Sequence, residues 1–409
     1  MNDPVMKNLT SAKIANVKVA KTKTSLAAQV VNAPKGRLKT EIDVAGGGMR
    51  DLLVSRSGKA LRDKYDQLGG EAVFGAWPDG GLRAKKLTFG GQSLVYNSER
   101  GAAFHIKGAI HERWLALGGK WIPETDETTT PDGVGRYNHF KGGCSIYWHP
   151  GTGAWGGWGG IRQRWADLGW ERGYLGYPTS DEGDIDEGGR ANSFQHGWIY
   201  WWPGMGAIDL RGIVLTYVGL FAYAESDVDQ KTGSDEPYCI FSMVVPKHEP
   251  WTVRTRVYEG VDDRSARPDR IELYRGPAYG MTISVVGMEK DNGSPDGNRA
   301  LVQEAVKTNH EVGKFLLQFI PLVGPIISKI GGPAPDGLMP KLANGIAALL
   351  DLGDDVIGEV SVPLSTKKLV ELALQQEPYN NKGIVYKVQS GMMEKSGARY
   401  MAYFTVDPA

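Results

Sequence analysis

The sequence has few cysteines and no excess of charge of either sign. Two of its 409 residues are cysteines, Cys144 and Cys239, and they lie far apart in the chain. Two thiols cannot build a disulfide framework or a four-thiolate zinc site, so we expect both to be free. The 47 basic and 47 acidic side chains cancel, which argues against a surface built throughout for nucleic acid, and we expect no specific nucleic-acid partner.

Long apolar segments are also missing. The sequence has no run of about 18 or more apolar residues, which argues against a conventional transmembrane helix. The first 30 residues lack the continuous apolar core of a signal peptide. Residues 1–40 carry eight basic side chains and one acidic side chain. We therefore predict that residues 1–56 form a basic arm and a lead-in strand. The arm is either a solvated tail or a segment attracted to anionic lipid or nucleic acid.

Tryptophan and glycine, by contrast, are abundant, and they mark a repeat. Eleven of the twelve tryptophans lie between residues 77 and 202. Residues 61–69, 110–118 and 161–169 each place apolar side chains along one helix face and end in a glycine suited to a helix cap. Each segment precedes a proline-containing loop and short aromatic runs between Gly-rich turns, which predict hairpins. We predict three repeats across residues 57–212, packed on one another because one copy cannot bury its own apolar face.

The third copy contains Leu175-Gly176-Tyr177-Pro178-Thr179-Ser180-Asp181-Glu182, followed by an aromatic run that ends in Tyr200-Trp201. It resembles the LGFP repeat, a module of bacterial cell-wall proteins. Residues 123–140 of the second copy resemble it as well, whereas the first copy is degenerate. The resemblance implies a propeller-like arrangement of repeats that attaches to cell-wall polysaccharide. It places the protein's action outside the cell or at a cell surface. No signal peptide is recognisable, which leaves cytoplasmic storage and non-classical release as the open alternatives.

Aromatic residues of the hairpins and loops are candidate sugar platforms, because an exposed ring can stack on the apolar face of a sugar. Trp114 and Trp165, on the helix face, are expected in the core instead. For the other rings, packing between repeats is the alternative to ligand contact. The candidate glycan-binding residues, including four that could bind hydroxyl groups, are Trp148, Trp155, Trp158, Trp170, Trp198, Trp201, Trp202, Asn138, Asn192, Asp181 and Glu182.

From residue 213 the pattern changes to β-branched alternation. Seven or eight strand-like runs over nearly 200 residues predict a β-sandwich, with acidic residues clustered at the joints. Residues 229–238 and 354–359 resemble loops of the C-two domain, a calcium-dependent phospholipid-binding sandwich. Calcium prefers six to eight oxygen ligands, which carboxylates of adjacent loops can supply. The alternative is that these acids cap turns. The candidate calcium ligands are Asp229, Asp235, Glu289, Asp291, Asp354 and Asp355.

An apolar insertion, residues 298–352, separates two of these acidic joints, where the C-two family has a short loop. Its apolar residues have helical spacing, and its uncharged run over residues 315–328 is too short to span a bilayer. The insertion either packs on the sandwich or enters a bilayer interface, which would make a phospholipid membrane a partner. The candidate membrane-contacting residues are Phe315, Leu316, Phe319 and Ile320.

The motifs of common enzyme classes are missing: the sequence has no nucleophile elbow, zinc-protease signature, phosphate-binding loop or dinucleotide fingerprint. We predict a mainly β protein with helical additions, divided into residues 1–56, 57–212 and 213–409. We expect a non-enzymatic protein that recognises cell-surface glycan through its repeats and engages calcium, a membrane or both through its sandwich, as a membrane-active toxin would. The alternatives are an adhesion or structural protein of a cell envelope and a hydrolase with an unrecognised site. The sequence leaves the oligomeric state open.

Overall fold

The computed structural model describes residues 37–38, 54–226, 234–290 and 355–409. Over these residues the protein is mainly β, with several antiparallel sheets and few helices, as the sequence predicts. Two compact units are present, Met1–Arg162 and Gln163–Ala409. The division predicted from the sequence, at residues 57 and 213, stays a prediction. The predicted helical insertion, residues 298–352, lies outside the described residues.

Each of the three predicted copies contains a helix followed by an antiparallel sheet. Ahead of the first copy, β1 (Arg37–Leu38) pairs with β2 (Val54–Ser55). The first copy contains α1 (Arg56–Gln67), α2 (Glu71–Phe74), β3 (Lys86–Phe89), β4 (Gln92–Asn97) and β5 (Ala102–Lys107). The second contains α3 (Gly108–Ala116), β6 (Thr128–Thr129), β7 (Arg136–Phe140), β8 (Cys144–His149) and β9 (Gly153–Trp158). The third contains α4 (Gly159–Asp167), β10 (Gly183–Asp184), β11 (Arg190–Phe194), β12 (Gly197–Trp202) and β13 (Gly206–Leu210).

The repeat helices begin and end where their sequences allow. Ser55 caps α1, since its hydroxyl accepts a hydrogen bond from the backbone N–H of Gly58 at 3.0 Å. Beyond the C-terminal end of each helix a glycine adopts a positive φ: 110° at Gly69, 93° at Gly118 and 94° at Gly169. A side chain would strain this backbone, so glycine fits the position best. The predicted helix caps are therefore confirmed.

In the first unit the copies pack on one another through alternate strand residues. Leu94 of β4 points to one face of its sheet and packs with Leu61 and Tyr65 of α1. Its neighbour Val95 points to the opposite face and packs with Trp114 of α3 in the next copy. The first sheet thus lies between its own helix and the following one, as expected of a repeat that cannot bury both faces alone.

The C-terminal region of the second unit is a β-sandwich. This region contains β14 (Ile213–Ala224), β15 (Pro237–Val244), β16 (Trp251–Arg254), β17 (Ala266–Gly276), β18 (Met281–Glu289), β19 (Asp355–Leu364), β20 (Tyr379–Asn381), β21 (Ile384–Tyr386), β22 (Val388–Gln389), β23 (Met393–Lys395) and β24 (Ala398–Pro408), with α5 (Thr366–Leu374) after β19. The strands β20 and β21 pair with each other in a separate two-stranded sheet. One sheet has the order β17-β14-β24-β22, with β23 also on β24, and the other has the order β16-β15-β18-β19. Tyr217 and Phe404 of the first sheet share a core with Phe241 of the second. This common core confirms the predicted sandwich.

The third repeat packs against the sandwich within the second unit. Tyr200 and Trp202 lie on one face of β12 and belong to the same core cluster as Leu215 and Val406 of the sandwich. The Tyr200 hydroxyl accepts a hydrogen bond from the backbone N–H of Ala278 at 3.0 Å. The sandwich therefore covers the sheet face that, in the first copy, is covered by the helix of the next repeat.

Candidate functional site

One cross-strand row recurs in the sheets of all three copies. In the second copy Arg136 of β7 lies directly opposite Trp148 of β8, and Trp148 lies opposite Ala154 of β9. Side chains opposite one another on antiparallel strands have Cβ atoms about 4.5–5.5 Å apart, so the basic group and the alanine flank the indole. We call these sets the aromatic rows. They consist of Lys85, Tyr96 and Ala103; Arg136, Trp148 and Ala154; and Arg190, Trp201 and Ala207.

The aromatic ring of each row lies at the rim of its repeat. Tyr96, Trp148 and Trp201 are all half-buried. Tyr96 and Trp148 pack against the core of their own copy, and each of the three residues keeps part of its surface accessible to solvent. The alanine beside the ring adds only a methyl group, and in the first two copies it is buried, Ala103 at 3% and Ala154 at 7% exposure. Each row therefore presents part of a fixed, flat aromatic surface next to a basic side chain, which is a suitable platform for a sugar ring.

Carboxylates surround the basic residue in the third copy. The Arg190 Nε donates to Glu182 Oε1 at 2.5 Å, and its Nη1 donates to Asp184 Oδ1 at 2.6 Å. The Glu182 side chain is 3% exposed and that of Asp184 is 68% exposed. One acid thus fixes the guanidinium from inside the protein, while the other meets solvent beside the Trp201 row. Of this group, Glu182 and Trp201 were predicted from the sequence.

The second copy has an acid at the corresponding place. Glu127 follows Pro123 by four residues, as Glu182 follows Pro178. Its carboxylate lies 3.9 Å from Lys107 Nζ. Burial raises the pKa of Glu127, and the charges of Lys107 and Arg136 act in the opposite direction. The second row therefore also combines an aromatic ring with groups that could donate to and accept from hydroxyls.

Two predicted sugar-binding tryptophans lie on the opposite face of β12 from Trp201. Trp202 is 1% exposed, and its indole N–H donates to the backbone oxygen of Asp186 at 3.0 Å. Trp198 is half-buried and packs on the core cluster that includes the sandwich. Burial leaves no face of Trp202 open to a ligand in this structure.

Three further predicted tryptophans are half-buried and in contact with other side chains. The guanidinium of Arg113 lies 4.2 Å from the ring centroid of Trp155. Trp158 lies 5.2 Å from Trp121. Trp170 meets Trp165 edge-on at 5.1 Å. These contacts are the ring packing that is the alternative to ligand binding, and the ligand roles of these three residues stay predictions.

The predicted asparagines lie inside the repeats. Asn138 is fully buried, and its side-chain N–H groups donate to the backbone oxygens of His105 and Thr125 at 3.1 and 2.9 Å. Asn192, in the equivalent position of the third copy, is 1% exposed. Asn138 thus ties the proline-containing loop to its sheet. Asp181 is half-buried and precedes Glu182.

A partly buried polar network between repeat elements was not found from the sequence. His139 Nδ1 lies 2.7 Å from Ser145 Oγ, and Arg162 Nε donates to the same oxygen at 2.6 Å. Burial lowers the pKa of His139 to about 4, and the positive charge of Arg162 adds to this effect. His105 has a pKa of about 4 for the same main reason, burial. Both imidazoles are therefore neutral near pH 7 and act as hydrogen-bonding groups of the fold.

The predicted calcium ligands fall partly on described residues. Asp235 is 4% exposed; its carboxylate accepts hydrogen bonds from Ser226 N and Oγ at 2.8 and 2.9 Å, and from the Tyr400 hydroxyl. Glu289, at the end of β18, pairs in register with Asp355, the first residue of β19. Asp229, Asp291 and Asp354 lie outside the described residues. Among those that are described, no group of three or more histidine, cysteine, aspartate or glutamate side chains is placed to hold a metal ion.

The candidate membrane residues Phe315, Leu316, Phe319 and Ile320 also lie outside the described residues. Within the described ranges, no helix is both long enough and apolar enough to cross a bilayer.

Comparison with known protein families identifies the repeats. A model of the LGFP repeat matches residues 122–173 and 175–217, which contain the second and third sheets. LGFP repeats are thus present in this chain, and they indicate association with a cell surface or cell wall. The first copy lies outside the match. No curated protein matches the chain.

Proposed function

We propose that this protein binds a glycan of a cell surface or cell wall through the aromatic rows of its LGFP repeats. One observation carries the proposal: the two copies matched by the family model have the same arginine, tryptophan and alanine in the same cross-strand register. A ring that served only to fill a core would not need a guanidinium directly beside it.

The chemistry of a row suits a sugar. The C–H face of a pyranose or furanose ring packs on the indole of Trp148 or Trp201, which removes apolar surface of both from water. Hydroxyl groups at the edge of the sugar accept from arginine and donate to carboxylate, in the manner of the polar groups that orient ligands in other sites. A single row offers little area, so its affinity is low. Two rows on one chain raise the apparent affinity for a polymer that repeats the same sugar.

Co-sedimentation with protein-free bacterial cell walls tests this proposal. The double variant Trp148→Ala/Trp201→Ala is expected to stay in the supernatant under conditions in which the native chain pellets with the walls. The matched control is Trp121→Ala, which removes a half-buried tryptophan of the second copy that packs on Phe140 and Trp158 and lies outside the aromatic rows. If the double variant pellets as well as the native protein while remaining folded, the proposal is wrong.

A separate proposal concerns the sandwich, namely that it engages calcium and a membrane. It is supported by the register that sets Glu289 beside Asp355 and opposite Pro237, two residues after Asp235. This backbone register brings the ends of β18 and β19 and the segment before β15 to one end of the four-stranded sheet. Liposome co-sedimentation with and without calcium tests it, using a variant with Phe315, Leu316, Phe319 and Ile320 changed to Ser. Calcium-dependent binding that this variant loses would support both steps, whereas no sedimentation under either condition would contradict them.

A further inference from the structure

We infer that the aromatic row of the third repeat selects an uncharged saccharide and rejects anionic polymers, with Asp184 and Glu182 as the residues that determine this specificity. The inference rests on the proposed glycan binding and adds the chemical class of the ligand.

The charge balance around Trp201 carries the inference. Arg190 brings one positive charge to the row, and it forms ion pairs with two carboxylates, at 2.5 Å with Glu182 and at 2.6 Å with Asp184. The three side chains together carry a net charge of minus one. A guanidinium arranged to bind a phosphate or a uronate would present its paired donors to the ligand, whereas this one points them at protein carboxylates.

The position of Asp184 determines what an incoming ligand meets first. Residues 184, 190, 201 and 207 form one continuous cross-strand row, because Asp184 of β10 pairs with Arg190, Arg190 with Trp201, and Trp201 with Ala207. Asp184 is the solvent-exposed acid of the row. An anionic sugar stacked on the Trp201 ring would be close to this carboxylate, and like charges placed together disfavour binding. A neutral sugar instead offers hydroxyl protons that a carboxylate accepts.

The second row differs in charge and provides the internal contrast. There the acid Glu127 is accompanied by two cations, Lys107 and Arg136. These three side chains together carry a net charge of plus one, opposite in sign to that of the third row. Arg136 Nη1 donates to the backbone oxygen of Gly135 at 2.8 Å rather than to a carboxylate. The third row must therefore be measured alone, in a Tyr96→Ala/Trp148→Ala background that removes the other two aromatic rings.

The experiment uses the full chain and two ligands from one source, the neutral and anionic polysaccharide fractions that ion exchange separates from the same cell walls. The background variant is expected to bind the neutral fraction about tenfold more tightly than the anionic one. Its binding to the neutral fraction is expected to change less than about twofold between low and high salt, because no net ionic attraction is involved. Adding Asp184→Asn, which removes one charge at an exposed position, is expected to reduce the preference severalfold. Adding Asp63→Asn, which removes the charge of an exposed acid of α1 that pairs with Lys59 at 2.7 Å, is the charge-matched control and should leave the preference unchanged.

Equal or tighter binding of the anionic fraction by the background variant would overturn the inference, as would salt-sensitive binding of the neutral fraction. Loss of all binding in that background, while the native chain still binds, would also overturn it, since the third row would then not be a site. If the native chain binds neither fraction, the proposed function itself fails. A circular dichroism spectrum and a melting curve of each variant show whether it is folded, so that lost binding is not confused with unfolding.

Discussion

Asp235 shows how one buried carboxylate can join the ends of the connection between β14 and β15 to β24, a strand distant in sequence. Its oxygens accept from the Ser226 backbone N–H and hydroxyl and from the hydroxyl of Tyr400, 165 residues further along. Burial and the nearby negative charges of Asp235 and Glu289 raise the pKa of the Tyr400 hydroxyl, so it remains a donor. The residue thus has a structural role whether or not it also meets a metal.

Replacing this carboxylate is predicted to destabilise the second unit. Asp235→Asn removes the charge and places N–H groups against donors, which should cost about 2–3 kcal/mol of unfolding free energy. Tyr400→Phe removes one of the donors and should cost about 1 kcal/mol. Urea unfolding in the presence of a calcium chelator measures both. Glu394→Gln, which breaks a 3.6 Å ion pair with Arg399 at the surface, should change the free energy by no more than about 0.5 kcal/mol. Equal changes in unfolding free energy for all three variants would contradict the structural role assigned to Asp235.

Neighbouring residues Trp201 and Trp202 illustrate what the sequence could and could not predict about the site. Alternation along a strand puts them on opposite faces, which the sequence shows. Which face is covered depends on the sandwich that packs on Trp202 from elsewhere in the chain, and no local pattern carries that information. The basic member of each row was missed for a related reason: Arg190 is opposite Trp201 only through strand register.

At the scale of elements, the turn before β11 docks on the N-terminus of α5. The Asp186 carboxylate accepts from the backbone N–H of Thr366 at 2.6 Å, and Glu187 accepts from the hydroxyl of Ser365, the N-cap of the helix, at 2.7 Å. Lys367 lies 3.2 Å from Glu187. Negative charge at a helix N-terminus is favourable, but Asp186 is 7% exposed, and burial raises its pKa to about 6.

This docking contact predicts a pH dependence of stability. The folded-state pKa of Asp186, about 6, lies above the unfolded value of 3.8, so the folded state holds its proton more tightly. The contribution of Asp186 to the free energy of unfolding is therefore present in full below pH 3.8, its unfolded-state pKa, and is lost as pH rises through about 6. Relative to Asp186→Asn, which stays neutral and keeps an oxygen acceptor, the native chain should gain about 2 kcal/mol between about pH 7.5 and pH 4.

Glu187→Gln is the control, because Glu187 is expected to make stability depend on pH in the opposite direction. The hydrogen bond from Ser365 lowers the pKa of Glu187, so its contribution should be present near neutral pH and lost on acidification. Urea unfolding of the native chain and both variants across this pH range measures the slopes. If the slope of Asp186→Asn matches that of the native chain, the buried carboxylate is not the group responsible.

The elements themselves were predictable where their apolar pattern was strong. The repeat helices and most sandwich strands follow from periodicity and glycine caps. The strand Ala266–Gly276 was missed because it is an edge strand whose sequence is largely charged, with Pro268 within it. The helix Thr366–Leu374 was also missed. Its cap Ser365 is a recognisable signal, but its nine residues adjoin a strand run of similar apolar content.

For the whole molecule, the division into two units has a consequence for cooperativity. The third repeat shares its core with the sandwich, so we expect the two to open together. Native-state hydrogen exchange should give the most protected amides of β12 the same opening free energy as those of β14 and β18. The strands β4 and β5 of the first unit need not share that value. A β12 that exchanges with much lower protection than β14 would show that the third repeat opens independently of the sandwich.

The most direct test of glycan recognition is to observe the tryptophans themselves. With fluorine-labelled tryptophan in the native chain, and resonances assigned by single Trp→Phe variants, the neutral wall polysaccharide is titrated while the fluorine spectrum is recorded. We predict that the signals of Trp148 and Trp201 shift, whereas those of the buried Trp114, Trp165 and Trp202 do not. Shifts confined to tryptophans outside the aromatic rows, with Trp148 and Trp201 unchanged at saturation, would contradict the account.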